Sequence, residues 1–518
     1  MSEKKNSARL FAALDVGSFE LTLKIFEISP RGIKQLEHIR HRLALGTDSY
    51  VTRKISLVKM EELFSILQEF KDVMKQYRIK DYRAYGTSAL READNTELLL
   101  DQIKNRSGID LEILSNSEQR FLDYKAIAAI GDQFDAVIAK PTAIVDIGGG
   151  SIQLSLFDKG ALVITQSLKL GVLRIHESLV SMKPRTTQIE ALMDEMIDGQ
   201  LSVFKKIYLK DREIKNLIIV DDYLSNRFKE AIPGVGADKM ASIEAFMEFA
   251  GSIQDVNNEE MSDRLEISEE SVPLLKISTG IIKRVARSFG AEALWAPGAT
   301  LCDGIAYEYA EQNKLKAVNR DFEADILACA SAMSHRYLGS RKRSEALETL
   351  VLAIFDGMKR VHGMGERQRL ILRLSALLHD CGKFINMTNV GECSYAIIMN
   401  TEMIGLSHAE REMLASVVKF NHEEFEYYED LSTHIDLSKE DYLTIAKLTA
   451  ILRIANALDK SHKQKIRNIR VVLKDDTLCL DVDTGADILF EQERFAGRAA
   501  FFEEVYGLRP VIRRKGAL

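Results

Sequence analysis

The feature that most constrains the fold is an aspartate at the end of an apolar run, followed by a glycine turn, and it occurs twice. Asp15 lies in "LFAALDVGSFELTLKIFEIS" and Asp146 lies in "VDIGGGSIQLSLFDKG". Each turn separates two segments with strand-like alternation, so a strand, turn and strand unit is repeated. Three consecutive glycines exceed what a hairpin needs, and their bare amides suit phosphate oxygens. The repeat predicts two related lobes with phosphate loops facing one cleft, against the alternative of two unrelated hairpins.

Helix and strand patterns alternate along the first part of the chain, which predicts an α/β fold. The predicted strands after the first turn are "YRAYGTS", "DLEILS", "ALVITQSLKL" and "NLIIVDD", and the predicted helices include 56–77, 95–105, 268–288 and one starting near residue 116. The chain is then nearly all helical, until the strands "IRNIRVVL" and "TLCLDV". We expect lobes at 1–135 and 136–312, a helical domain at 320–462 and a small α+β tail at 463–518.

Composition excludes several classes of function. The formal net charge is −7, from 70 Lys and Arg against 77 Asp and Glu, so there is no global basic field to gather nucleic acid. The five cysteines form no CxxC pair, which indicates neither a disulfide framework nor a thiolate zinc site. The apolar stretch near the N-terminus is too short for a signal sequence, and no later run is long enough for a membrane span. We expect a cytoplasmic protein without a nucleic-acid or membrane partner.

Four segments together resemble one family: "LDVGS", "YGTSALREADN", "LSNSEQRFLDY" and "VDIGGGS". They are similar to the exopolyphosphatase and guanosine pentaphosphate phosphohydrolase family, and the resemblance covers most of the chain. It implies two ribonuclease H-like lobes of the actin and sugar-kinase type, followed by a helical domain resembling HD proteins. It also implies Mg²⁺ or Mn²⁺ as cofactor, a homodimer, and inorganic polyphosphate or guanosine pentaphosphate as substrate.

The resemblance places Glu118 at the position of the family's catalytic glutamate, with Gln119 where a second glutamate is common. Attack of water on a terminal phosphorus needs a carboxylate that aligns and deprotonates the water. The resemblance implies that Asp146 is catalytic together with Glu118, and that Asp15, Asp146 and Glu118 hold the metal ion, since hard cations take carboxylate oxygens. The alternative for Glu118 is a carboxylate that stabilises a helix start.

The phosphate ligands implied by the resemblance are backbone amides, hydroxyls and one guanidinium. An arginine can pair with phosphate oxygens in bidentate geometry, and the alternative for Arg91 is a structural role near a helix start. Gly171 and Arg174 in "LGVLRI" match a further family segment. The predicted set is Gly17, Ser18, Arg91, Gly148, Gly149, Gly150 and Ser151.

Two segments depart from the family pattern. Phe19 and Glu20 follow the first turn where the family has small polar residues, and strand alternation places the two on opposite faces. After "NLIIV", a third glycine-rich phosphate loop is replaced by Asp221, Asp222 and Tyr223. Two carboxylates at this position would either repel a polyphosphate or bind a cation, and the sequence leaves both open.

His379 and Asp380 in "LLHDCGKFIN" form the adjacent pair at the centre of HD-type metal phosphohydrolases. A working centre needs further histidines and a late aspartate. The related positions carry Arg343, Gly391 or Cys393, and Asn456, with Asp459 close by. We therefore expect a helical scaffold without a competent metal centre, which extends the substrate channel or mediates dimerisation. Residues available for that role are Lys383, Lys419 and His422.

Three functions fit these motifs. The first is an exopolyphosphatase that removes terminal phosphate by metal-assisted attack of water, with guanosine pentaphosphate as the alternative substrate because both present a terminal phosphoanhydride. The second is a hydrolysis-deficient regulator that binds polyphosphate or an alarmone. The third, a kinase of the same fold, ranks last because the substituted third loop removes the glycine turn that nucleotide pockets use.

Overall fold

The computed structural model describes residues 8–183, 185, 188–221, 223–254, 256–316 and 320–514. The chain forms two compact units, Met1–Asp321 and Phe322–Leu518, here called unit 1 and unit 2. Among the described helices, none has the length and apolar character needed to cross a membrane.

The first lobe of unit 1 is built on a five-stranded sheet. Its strands are β1 (Arg9–Val16), β2 (Glu20–Ser29), β3 (Gly32–Arg42), β4 (Asp81–Gly86) and β5 (Glu112–Ile113). Its helices are α1 (Leu45–Thr52), α2 (Leu57–Gln76), α3 (Ser88–Glu92), α4 (Thr96–Ser107) and α5 (Asn116–Ala128). The strand order is β3-β2-β1-β4-β5, with β1 antiparallel to β2 and parallel to β4. Helix α2 begins after Ser56, whose side chain caps the Lys59 amide, as serine commonly does at this position.

The second lobe repeats this arrangement on a six-stranded sheet. Its elements begin with α6 (Asp132–Ile138), β6 (Thr142–Ile147), β7 (Ile152–Asp158), β8 (Ala161–Leu168), α7 (Val172–Met182), α8 (Ile189–Phe204) and β9 (Asn216–Asp221). They continue with α9 (Phe228–Ala231), β10 (Met240–Ser242), α10 (Ile243–Ser252), α11 (Asn258–Leu265), α12 (Val272–Phe289), β11 (Ala293–Trp295) and α13 (Leu301–Gln312). The strand order is β10-β11-β9-β6-β7-β8.

The two lobes share one topology around their central strands. Strands β1, β2 and β3 form an antiparallel meander, and so do β6, β7 and β8; β4 joins β1 in parallel as β9 joins β6. All six residues of β6 are buried, and four of them are apolar, as in a strand covered on both faces. The predicted α/β fold with two ribonuclease H-like lobes is confirmed.

Helix α13 packs against the first lobe, although it follows the second lobe in sequence. The ring of Tyr309 stacks on Phe11 in β1 at 4.1 Å between centroids, and Asp303 pairs with the buried Lys24 at 2.9 Å. The range 136–312 predicted for the second lobe therefore includes a helix that returns to the first sheet. This return ties the two lobes together through both β1 and α5.

Unit 2 consists of a helical bundle and a small three-stranded sheet. Its helices are α14 (Phe322–Arg336), α15 (Arg341–Gly357), α16 (Lys359–His362), α17 (Glu366–Leu378), α18 (Val390–Asn400), α19 (His408–His422), α20 (Tyr428–Leu431) and α21 (Lys439–Ala457). The tail comprises β12 (Ile469–Lys474), β13 (Thr477–Val482), α22 (Leu489–Tyr506) and β14 (Arg509–Arg514). Strand β14, which the sequence pattern did not predict, pairs in parallel with β13.

Replacement of Gly304 by alanine tests the contact between α13 and α5. A Cβ at Gly304 would lie 2.6 Å from the carbonyl carbon of Leu122, which is backbone and cannot rotate away. We expect Gly304→Ala to lower the free energy of unfolding by about 1–3 kcal/mol in urea denaturation. The matched control is Gly199→Ala in α8, where the added methyl meets open space and should stabilise the helix by about 0.5–1 kcal/mol. Equal effects of the two changes would contradict the close helix contact.

Candidate active site

Asp15 and Asp146 occupy equivalent positions, each one residue before the end of its central strand. Burial, followed by the charges of Glu20 and Asp146, raises the pKa of Asp15 to about 7. The two aspartates of the sequence repeat therefore lie close enough to repel each other. Their convergence defines the cleft between the lobes.

Asp146 is buried beside a charged pair from α5. Burial raises the pKa of Asp146 to about 6, while the charge of Arg120 and a hydrogen bond with Asp123 lower it. A hydrogen bond between two carboxyl groups requires that they share a proton. Arg120 is itself buried and donates to Gln153 Oε1 at 2.6 Å. The cleft thus combines clustered carboxyl groups with a fixed guanidinium.

Two carboxylate oxygens in the cleft are left unpartnered. Asp15 Oδ1 and Asp146 Oδ2 are buried and have no hydrogen-bond partner among the described residues. A hard cation satisfies such oxygens. In the described part of the chain, no three His, Cys, Asp or Glu side chains are grouped closely enough to hold a metal ion by themselves. The arrangement fits an ion that takes one or two carboxylates and completes its coordination with phosphate and water, as Mg²⁺ does.

Glu118 lies in the first turn of α5 and forms a capping box with Ser115. Its Oε2 accepts the Ser115 amide at 3.0 Å, and Ser115 Oγ accepts the Glu118 amide at 3.2 Å. Both groups satisfy amides that a helix start leaves without partners. The structure thus gives Glu118 the helix-stabilising role that the sequence offered as the alternative to catalysis.

Arg91 lies in α3 and fixes the segment that leads into α5. Its guanidinium donates to Asn116 Oδ1 at 2.5 Å and to the carbonyl of Leu114. These contacts correspond to the structural role that the sequence analysis left open. They also place the start of the Glu118 helix relative to the first sheet.

The turn that follows β1 packs against the turn that follows β6. A Cβ at Gly149 would lie 2.9 Å from Ser18 Cβ, so glycine permits an approach that alanine would not. The Ser18 hydroxyl lies 2.7 Å from the Tyr50 hydroxyl and accepts the Ala89 amide at 3.2 Å. The hydroxyl that was predicted to bind phosphate is therefore bonded within the protein.

Tyr50 in α1 also lies against the triple glycine turn. A Cβ at Gly150 would be 2.5 Å from the Tyr50 hydroxyl oxygen. Arg174 in α7 lies over the Tyr50 ring at 4.6 Å, donates to the Gly150 carbonyl at 3.0 Å and pairs with Glu92 at 2.7 Å. Arg174 therefore braces the turn and links it to α3. A Cβ at Gly171, just before α7, would collide with the backbone of the same turn.

Two of the predicted amide donors close their own turns. Gly17 donates to the carbonyl of Glu20 at 3.0 Å, and Gly148 donates to the carbonyl of Ser151 at 3.0 Å. A phosphate that used either amide would have to displace one of these bonds.

The two segments that depart from the family pattern contact each other through aromatic side chains. Phe19, from the first turn, lies 6.0 Å from Tyr223 between ring centroids, and Tyr223 stands in the substituted third loop. Phe19 and Tyr50 both pack against the hydrophobic core of the second lobe. Aromatic side chains therefore join the lobes where the family pattern predicts phosphate loops.

Glu20 and Asp221, the acidic departures, are engaged by neighbouring groups. Glu20 pairs with Arg40 at 3.5 Å and lies 4.0 Å from Arg42, both on β3. Burial raises its pKa. Glu20 still acts on the cleft, since its charge helps to raise the pKa of Asp15.

Asp221 caps the loop that follows β9. Its carboxylate accepts the amides of Leu224 at 3.0 Å and Ser225 at 2.6 Å, and the Ser278 hydroxyl at 2.7 Å. The charge of Asp221 also helps to raise the pKa of Asp146, and the two alternatives given for this position stay predictions. Asp222 lies outside the described residues.

Comparison with known families shows to which family the chain belongs. A model of the Ppx/GppA phosphatase family matches residues 24–311, and a model of domain III of Ppx/GppA phosphatases matches residues 328–493. The chain belongs to the Ppx/GppA phosphatase family. The resemblance inferred from the four motifs is thereby confirmed.

Individual Ppx/GppA relatives extend over most of the chain. A guanosine-5'-triphosphate,3'-diphosphate pyrophosphatase of Aeromonas hydrophila is 20% identical, covering 94% of this chain and 97% of the relative. A protein of the same name from Vibrio parahaemolyticus is 20% identical, covering 92% of each. The crystal structure of an exopolyphosphatase from Cytophaga hutchinsonii matches with a TM-score of 0.52 at 18% identity, covering 60% of this chain and 100% of that chain. The structural likeness shows the fold.

In unit 2 of this Ppx/GppA protein, cations surround the aspartate of the His-Asp pair. Lys383 lies 2.8 Å from Asp380, His379 Nε2 lies 3.2 Å from it, and Arg343 forms a further ion pair. Burial opposes ionisation, but His379, Arg343 and Lys383 together hold the pKa of Asp380 well below its ordinary range. Arg343 also donates to Asn456 Oδ1 at 3.1 Å. The arginine thus joins residues at two positions where HD-type proteins carry metal ligands.

Three polar residues of the cleft were missed from the sequence: Tyr50, Arg120 and Asp123. Arg120 and Asp123 are three positions apart on α5, so they share one face, which meets Asp146. Charged residues on the buried face of "EQRFLDYKAIA" were the available signal. Tyr50 belongs to no motif, and nothing in the sequence near α1 distinguishes it.

The raised pKa of Asp15 predicts a specific dependence of stability on pH. The unfolded chain releases this proton near pH 4, whereas the folded protein keeps it until about pH 7. Between these values the folded state binds more protons, so rising pH lowers stability. We expect Asp15→Asn to exceed the wild type by about 1–3 kcal/mol in unfolding free energy at pH 8 with chelator, and to match it near pH 4.

Urea denaturation across this pH range makes the measurement. The control is Asp211→Asn, at an exposed carboxylate in unit 1, which should change stability little at any pH. Added Mg²⁺ should stabilise the wild type and not Asp15→Asn. A constant difference between the Asp15 variant and the wild type from pH 4 to pH 8 would refute the buried charge repulsion.

Proposed function

We propose that this chain is a Mg²⁺-assisted phosphohydrolase that removes the terminal phosphate of guanosine pentaphosphate, with linear polyphosphate as the second candidate substrate. Both molecules carry the same terminal phosphoanhydride. The nucleotide takes first place because the relatives named for it match over nearly the whole chain, including unit 2. The exopolyphosphatase structure covers 60% of this chain.

The observation that carries the proposal is the pair of buried, unpartnered carboxylate oxygens on Asp15 and Asp146. Two buried carboxylate oxygens without partners lower the free energy of unfolding unless a cation binds to them. Asp15 and Asp146 would hold the cation. When bound, the cation would neutralise charge on the phosphate oxygens.

Glu118 and Arg120 supply the remaining chemistry in this proposal. Glu118 caps α5 through Oε2, so its Oε1 is the atom that would accept a proton from the attacking water. Arg120 lies beside Asp146 and favours its ionised form. Phosphoryl transfer needs little beyond this positioning and charge stabilisation.

Two variants separate the catalytic from the structural role of Glu118. Glu118→Gln keeps a side chain that can complete the capping box but removes the base, so we expect phosphate release to fall about 10²- to 10⁴-fold with stability nearly unchanged. Ser115→Ala removes the cap and should cost about 1 kcal/mol of stability while retaining most activity.

The assay is phosphate release from guanosine pentaphosphate and from long-chain polyphosphate, each with Mg²⁺ and with chelator. His379→Ala in unit 2 serves as a further comparison and should retain release. If Glu118→Gln releases phosphate at the wild-type rate, Glu118 is not the base. If His379→Ala abolishes release in a folded protein, the reaction occurs in unit 2.

A second candidate function is a hydrolysis-deficient sensor of the same ligands. The contacts of Tyr50 with the Ser18 hydroxyl and beside Gly150, together with the Phe19 and Tyr223 pair, favour it. These side chains pack against the turns to which the family resemblance assigns phosphate binding. Under this alternative, the wild type binds guanosine pentaphosphate or polyphosphate tightly and releases no phosphate with Mg²⁺.

A further inference from the structure

The Tyr50 hydroxyl in unit 1 lies between two serine hydroxyls from different segments of the first lobe. It donates to Ser88 Oγ at 3.0 Å and lies 2.7 Å from Ser18 Oγ. A phenol has one proton to donate, so the proton of the second bond comes from Ser18. Both serines are buried, and Ser18 also accepts the Ala89 amide at 3.2 Å. The three hydroxyls therefore form one continuous chain of hydrogen bonds, from Ser18 through Tyr50 to Ser88.

The triple glycine turn beside these hydroxyls is held in shape by α7. The Gly148 carbonyl accepts the Val172 amide at 3.0 Å, and the Gly149 carbonyl accepts the Arg174 amide at 3.1 Å. The Arg174 side chain donates to the Gly150 carbonyl at 3.0 Å. In a trans peptide group the N–H points opposite to the C=O, so the amides that follow these carbonyls point away from α7. Backbone amides aligned in this way can receive an anion.

The phenolic oxygen of Tyr50 lies where the predicted phosphate ligands of the two turns meet. A Cβ added to Gly150 would be 2.5 Å from this oxygen, and its partner Ser18 carries the hydroxyl that the family resemblance assigns to phosphate. A phosphate oxygen that bonded to the hydroxyls of Ser18 and Ser88 would occupy the same place. Tyr50 and such a phosphate group therefore exclude each other.

Helix α1, which carries Tyr50, is weakly stabilised by its own sequence. Its eight residues, "LGTDSYVT", are mostly weak helix formers, and a helix this short is marginal on its own. Ser49 Oγ is buried and has no hydrogen-bond partner among the described residues. Contacts with the rest of unit 1 therefore hold Tyr50 in place. They include the two hydroxyl bonds and the Arg174 guanidinium, which lies 4.6 Å from the centroid of the Tyr50 ring.

We propose, resting on the proposed function, that Tyr50 sets the affinity of the cleft for a terminal phosphate group by holding the Ser18 and Ser88 hydroxyls until the phosphate displaces it. The ligand then binds only the state in which Tyr50 has moved, so its measured affinity is reduced by the population of that state. Two hydrogen bonds of ordinary strength correspond to about 5- to 100-fold in affinity. Tyr50 is thus a determinant of KM and not a catalytic residue.

Calorimetric titration of the full-length protein with guanosine pentaphosphate and Mg²⁺ tests this role, in a Glu118→Gln background that suppresses turnover. We expect Tyr50→Phe to tighten binding about 5- to 30-fold, because it releases both serine hydroxyls and keeps the ring. In steady-state phosphate release without the Glu118 change, KM should fall by the same factor while kcat stays within about twofold. Thermal midpoints measured without ligand check that each variant is folded.

The matched control is Tyr77→Phe, which removes a phenolic hydrogen bond of the same lobe, donated to Glu37 Oε2 at 2.9 Å. It should bind guanosine pentaphosphate as the wild type does. Ser88→Ala supplies a second test, since it removes one of the two bonds for which Tyr50 and phosphate compete. In this background, Tyr50→Phe should tighten binding by a smaller factor than it does alone.

The outcomes separate this role of Tyr50 from the proposed function. Tighter binding by Tyr50→Phe, with Tyr77→Phe unchanged, supports the role whether or not the protein releases phosphate. Equal or weaker binding by Tyr50→Phe overturns the role, and the proposed function stands if phosphate release still depends on Glu118. Equal gains with and without Ser88→Ala also overturn the role. Absence of binding by the wild type and by Tyr50→Phe at millimolar ligand overturns both.

Discussion

Repulsion between two buried carboxylates organises the cleft of unit 1. Asp15 and Asp146 are brought together because each lies one residue before the end of the central strand of its sheet, and the two sheets share one topology. Neither residue can move away without breaking strand pairing on both sides, since β1 and β6 are flanked by partners. The fold therefore fixes an unfavourable charge pair, which a bound proton or a bound cation relieves. The raised pKa values of Asp15 and Asp146 are one consequence of this geometry.

Aromatic residues join the two lobes beside the turns that follow the two aspartates. Phe19 and Tyr223 meet across the lobes, and Tyr50 lies against the triple glycine turn. Phe19 and Tyr50 also pack against the hydrophobic core of the second lobe. The Ser18 hydroxyl is bonded to the Tyr50 hydroxyl, so a ligand that used this hydroxyl would have to displace Tyr50.

Structural elements could be predicted from the sequence where a short, local stretch of residues determines them. The repeated aspartate and glycine turns, the strand alternation around them and the serine before α2 are local patterns, and the elements follow them closely. The confirmed family resemblance came from four such segments. β14 was missed because "RPVIRR" is short and charged, and its pairing with β13 depends on a partner elsewhere in the chain.

The candidate site was less predictable, because its decisive contacts cross long stretches of sequence. Asp221 looked like a cleft carboxylate, yet its three bonds come from its own loop and from Ser278 in α12. Tyr50 has no motif, and its role is set by three-dimensional proximity to Ser18 and Gly150. The sequence motif identified Glu118 as a candidate residue, but it did not show which of its carboxylate oxygens caps the helix.

In unit 2, too, a buried carboxylate needs a positive charge beside it, and side chains of the protein supply that charge. The Asp380 carboxylate, which a metal would neutralise in an HD-type centre, is neutralised by Arg343 and Lys383. A guanidinium cannot exchange ligands as a metal does, so this charge is structural and fixed at all physiological pH values. Three further cations, Lys460, Arg453 and Arg498, line a neighbouring cavity. The same replacement that removes a metal ligand from the HD-like centre therefore supplies the positive charge that pairs with Asp380.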